Sequence, residues 1–164
     1  MEPTTKWICD VCGKEIESPE DGWLEWVEYE SQEDGRTRGR DVRVVHHTKS
    51  KQEKLEGRTC QFDQDATRRD GGLVCDGPLG WFLGPDGLMR LLSMMEDDRL
   101  PVRDVIEVTR RLHMPGYEKA RFHFSEAVSA RVVDPSPYPG CWELSQIEAV
   151  IKYAETTHEP EPEL

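Results

Sequence analysis

Hydrophobic and polar positions change their period once along this chain, and the change divides it. Trp23-Leu24-Glu25-Trp26-Val27-Glu28-Tyr29-Glu30 is rich in aromatic and β-branched residues, which predicts a strand. Asp34-Gly35 follows as a turn signal. Asp41-Val42-Arg43-Val44-Val45-His46 then alternates, with Val42, Val44 and His46 on one face. The two runs predict a hairpin. Its first strand is acidic and its second basic, so cross-strand charge pairs support it. Residues 48–60 are polar and read as loop. The stretch 63–83, with Asp70-Gly71-Gly72 and Gly77-Pro78, reads as a linker.

From about residue 84 the period becomes helical. Leu88, Leu91, Leu92 and Met95 share a face, with Asp86 as the expected N-cap. Pro101 stands where a first helical residue would be. Val102, Val105, Ile106, Thr109 and Leu112 keep the i, i+3, i+4, i+7 spacing until His113-Met114-Pro115-Gly116 breaks it. Tyr117, Ala120, Phe124, Ala127 and Val128 mark a third helix. Asp134–Gly140 is a proline-stiffened loop. Ser145 and Glu148 form an expected capping box for a fourth helix, with Ile147, Val150, Ile151 and Ala154 inward. The acidic, proline-rich stretch 157–164 is expected to be disordered. The expectation is an α+β protein: a β module over 1–62, a linker over 63–83, a helical domain of about four helices over 84–156, and a tail over 157–164.

Composition adds a constraint. Hydrophobic residues are 36% of the 164 and charged residues 33%. So thin an apolar share predicts a core that needs a staple. The net charge of −12 disfavours long-range attraction to nucleic acid or anionic membranes. The first residues lack the apolar run of a signal peptide, and no stretch approaches 18 apolar residues. A cytoplasmic protein without membrane contact is therefore expected. In a reducing compartment its five cysteines read as metal ligands or redox thiols before disulfides.

Cys9-Asp10-Val11-Cys12-Gly13-Lys14 is the sharpest local signal. Two thiolates two residues apart reach one ion from a tight turn, and Gly13 relieves the backbone there. A closed tetrahedral site needs two more ligands, and His46, His47, Cys60 and Cys75 are the candidates. The hairpin returns the end of its second strand beside the Cys9–Cys12 turn. Alternation favours His46 over His47, Cys60 follows Gly57, and Cys75 stands as the alternative to a histidine. The expected set is Cys9, Cys12, His46 and Cys60 around Zn2+. The Cys-x-x-Cys-Gly turn and its hairpin resemble the zinc-ribbon and zinc-knuckle proteins over about residues 7–62. They depart from the commonest ribbon pattern, which carries a second Cys-x-x-Cys. A redox dithiol would sit at the start of a helix, and Lys14-Glu15-Ile16-Glu17-Ser18-Pro19 provides none. His-Glu-x-x-His and the zinc-deaminase signature are both absent, so a structural role is expected of the metal. Cys141 reads as a small buried apolar residue.

Two basic features bear on partners. Residues 36–58 carry a net +5, with Arg36, Arg38, Arg40 and Arg43 at their start. They can meet phosphates, or they can neutralise the nine acids of residues 15–34. The junction between the second and third helices, within 101–131, has helix–turn–helix grammar, which small bundles also use for packing. No nucleophile elbow, P-loop or dinucleotide fingerprint occurs. The expected function is that of a non-enzymatic cytosolic binding or regulatory protein whose partner is another protein. The alternative is a nucleic-acid-binding regulator that uses the strip or the helix pair.

Overall fold

A computed structural model describes residues 4–50, 59–138 and 140–157. The fold is α+β, as expected. The chain forms two compact units, Thr5–His113 and a second that starts at Met114.

The first unit opens with a short antiparallel pair, β1 (Trp7–Ile8) and β2 (Glu15–Ile16). A three-stranded antiparallel sheet follows, in the order β4–β3–β5. Its strands are β3 (Gly22–Glu30), β4 (Thr37–His46) and β5 (Gly72–Pro78). Helix α1 (Gln64–Arg69) precedes β5, and α2 (Gly84–Glu96) and α3 (Val102–His113) complete the unit. Leu24, Val44, Val45, Leu79, Leu91 and Val105 are fully buried in one core with Trp7.

The segment 63–83 is not a linker. Asp63 caps α1, its side chain accepting from the N–H groups of Asp65 and Ala66. Residues 72–78 pair with β3 from Tyr29 back to Trp23. Glycine misled the reading here because it serves close packing. A Cβ on Gly72 would lie 2.8 Å from Val27 and 2.9 Å from the Thr67 methyl. The boundary between compact units falls after His113, not near residue 62 or 83.

The hairpin is in place, with Gly22 opposite His46 and Glu25 opposite Arg43. A bulge between Glu25 and Val27 shifts the register, and Asp41 on the facing strand has φ of 59°. Both faces of the sheet are covered near this end. Leu24 and Glu25 are adjacent and both buried, so simple alternation does not describe it.

Five helices follow from residue 84 among the described residues, where about four were expected. The expected third helix splits into α4 (Tyr117–Ala120) and α5 (Phe124–Ser129). Helix α6 (Leu144–Thr157) begins where Glu143 N–H donates to Gln146 Oε1, two residues ahead of the expected capping box. Asp86 lies inside the first turn of α2 rather than at its cap. In the second unit Tyr117, Ala120, Phe124, Ala127, Ile147 and Val150 form the core, and Trp142 stacks on Phe124 at 4.3 Å. Cys141 is exposed, contrary to expectation, because the aromatic next to it fills the packing position. Among the described residues no helix is long and apolar enough to cross a membrane. The expected tail disorder concerns residues outside the described ones, apart from Thr157, which ends α6.

Candidate metal centre

The turn between β1 and β2 is built for close approach of its two thiols. Cys9 N–H donates to the Lys14 carbonyl at 2.8 Å, and Gly13 N–H to the Cys9 carbonyl at 3.0 Å. Gly13 adopts φ of 71°, which only glycine takes without strain. The turn is fixed to the sheet through Asp10. Its N–H donates to the Val44 carbonyl at 2.9 Å, and its carboxylate accepts from Val44 N–H at 2.7 Å.

Two residues after Val44, on the same strand, His46 is 1% exposed. Its Nε2–H donates to the Glu15 carbonyl at 3.1 Å, which leaves the Nδ1 lone pair free. Nδ1 lies 3.4 Å from Cys12 Sγ and 4.0 Å from Cys60 Sγ. The ligand atoms of Cys9, Cys12, His46 and Cys60 all lie within 4.8 Å of one another. His47, the less favoured candidate, stacks on Trp23 with ring centroids 4.4 Å apart. Cys75 is not in the group. It sits on β5 opposite Trp26, and burial, with Glu28 adding, pushes its thiol up to about 11.

Cys60 comes from a distant stretch, and a polar anchor holds that stretch. Glu25, fully buried, accepts from Arg43 Nε at 2.8 Å and from Phe62 N–H at 3.1 Å. Arg43 Nη2 donates to the Cys60 carbonyl at 3.3 Å, and its guanidinium lies 3.4 Å above the Phe62 ring. Burial pushes the Glu25 carboxyl up, while Arg43 and the Phe62 N–H draw it down. The cross-strand charge pattern pointed to such a pair, but nothing in it assigned the pair to holding Cys60.

Burial also pushes the Cys12 thiol up, and neighbouring Cys9 adds to this. Against it stand the Lys14 N–H and the Cys60 thiol. Three sulfurs and one imidazole nitrogen converge within the reach of one ion, a donor set that suits a thiophilic divalent metal. The arrangement is therefore chemically suited to one metal ion.

The expected basic strip is not a set of free cations. Arg43 is committed to Glu25. Arg38 pairs with Asp34 at 2.9 Å, Arg36 approaches the same carboxylate at 3.9 Å, and Arg40 lies 3.4 Å from Asp41. Arg38 and Arg40 remain on the exposed end of β4 and Arg36 just ahead of it, while Lys51, Lys54 and Arg58 lie outside the described residues.

Fold and site together define an α+β protein with a Cys3His group positioned to bind a metal ion. Comparison of the chain with protein-family models, with curated proteins and with solved structures finds no match in any of the three.

Proposed function

We propose that Cys9, Cys12, His46 and Cys60 hold one structural Zn2+, and that the protein is a non-enzymatic, cytoplasmic binding or regulatory protein folded around it. One observation carries the metal reading: the imidazole gives its Nε2–H to a backbone carbonyl and turns Nδ1 toward the sulfurs. Zinc at about 2.3 Å from sulfur and about 2.0 Å from nitrogen sets tetrahedral S···N edges of about 3.5 Å and S···S edges of about 3.8 Å. The 3.4 and 4.0 Å separations bracket the first of these.

Three thiolates and one imidazole fill a tetrahedron, which favours a structural over a catalytic role. When bound, zinc supplies a folding constraint between three distant parts of the chain. Thiolate ligands also favour a reducing compartment. Trp81 and Met89, both exposed, bring to the surface residue types enriched at protein contacts. The ion-paired arginines weigh against a phosphate-binding strip.

Metal analysis of the full chain, purified without added metal, tests the reading. About one zinc per chain is expected, and Cys60→Ser should lose most of it. A wild-type chain free of bound metal, with Cys9, Cys12 and Cys60 labelling without a chelator, would refute the proposal.

A further inference from the structure

Asp10 does two things at once. It is the first residue between the two cysteines of the turn, and it is the partner of a buried arginine on α3. Arg111 is 3% exposed, its Nη1 donates to Asp10 Oδ2 at 2.6 Å, and its Nη2 donates to the Ile8 carbonyl at 2.8 Å. The same Asp10 oxygen accepts from Val44 N–H. One carboxylate thus joins the Cys9–Cys12 turn, the strand that carries His46, and a helix about a hundred residues away.

We propose that Asp10 and Arg111 are positioning residues for the metal site, and that the contact couples metal occupancy to the docking of α3. The inference rests on the zinc reading above. A guanidinium that holds Ile8 and Asp10 fixes the backbone on either side of Cys9, so the turn keeps its shape before an ion arrives. Partners outside the ligand shell that orient it typically change metal affinity by about 10- to 100-fold. The coupling is reciprocal: if α3 favours the metal-ready turn, the metal favours the docked helix by the same factor.

The test uses the full chain and zinc itself. Zinc affinity is measured by competition with a chromophoric chelator for wild type, Arg111→Met, Asp10→Asn and the control Arg110→Met. Amide hydrogen exchange of residues 102–113 is followed with and without zinc. We expect Arg111→Met and Asp10→Asn to weaken zinc by about 10-fold or more, and Arg110→Met to bind as wild type does. In wild type, zinc removal should speed exchange along α3; in Arg111→Met the helix should respond far less. A merely structural arginine would lower stability equally with and without zinc and would leave affinity unchanged. If Arg111→Met does not fold, Asp10→Asn carries the test, because its amide oxygen still accepts from Val44 N–H. Wild-type affinity in both variants, or exchange along α3 indifferent to zinc, overturns the coupling. A wild-type chain that takes up no zinc overturns the metal reading and the coupling together.

Discussion

The two units are ordered by different means. In Thr5–His113 the core is apolar, but polar contacts tie its distant parts together: buried Glu25 with Arg43, buried Arg111 with Asp10, and the Cys3His group. In the unit from Met114 onward, short helices pack through Tyr117, Phe124, Ile147 and Val150, with Trp142 stacked on Phe124. A sheet with an ion-sized polar centre cannot close by hydrophobic burial alone, because each buried charge or thiol needs its partner in place. The helical cluster rests mainly on matching apolar faces, with one buried acid, Glu118, paired to Arg121 within a single stretch of chain at 3.1 Å. The first unit is therefore sensitive to chemistry, and the second to volume.

Chelation should separate the two most sharply. Zinc removal is expected to abolish slow amide exchange around β1, β2 and the end of β4, and to leave α6 protected. Loss of protection in both units together would end the distinction. Next comes the anchor of Cys60. Arg43→Ala leaves Glu25 buried without its cation and should cost about 3–5 kcal/mol in urea unfolding, with weaker zinc retention. In the second unit, Ile147→Val should cost only about 1 kcal/mol and leave zinc content untouched.

Thiol labelling refines the contrast further. At pH 8 Cys141 should alkylate first, since it is exposed. Cys75, at about 11, should react slowly, with a thiolate fraction of about one in a thousand at that pH. Its rate should climb as pH rises toward 11, because deprotonation supplies the nucleophile. Cys9, Cys12 and Cys60 should label only after chelation, which mass spectrometry counts directly. The smallest effect belongs to the exposed end of β4. Arg38→Ala removes a surface pair with Asp34 and should leave the unfolding midpoint where it was.

The hairpin was legible because its aromatic and β-branched strands flank a turn dipeptide, and α3 was legible because Val105 and Leu112 of the expected stripe are buried, although Val102 is exposed and Val108, outside that stripe, is buried with them. His46 was legible because its place on the strand matched Val44. The third strand was not. Gly72 and Gly77 look like linker residues until Val27, Thr67, Trp81 and Phe82 are seen pressed against them. The split between α4 and α5 also escaped, since an apolar stripe survives a break in the backbone. Arg43 was read as a candidate phosphate contact. Its commitment to Glu25 depends on register across the hairpin, which a count of charges does not contain.

By itself the sequence determined the chemistry on offer: a tight Cys-x-x-Cys-Gly turn, a histidine on a strand, helical stripes after residue 84, and too little apolar mass for an unaided core. Only the tertiary structure decided which groups meet. It brought Cys60 to the turn through Glu25 and Arg43, set Arg111 on Asp10, and excluded Cys75. The reason is physical. Residue type and spacing set local backbone preference and reactivity, whereas contacts between positions tens of residues apart depend on sheet order and register, which the whole chain settles at once.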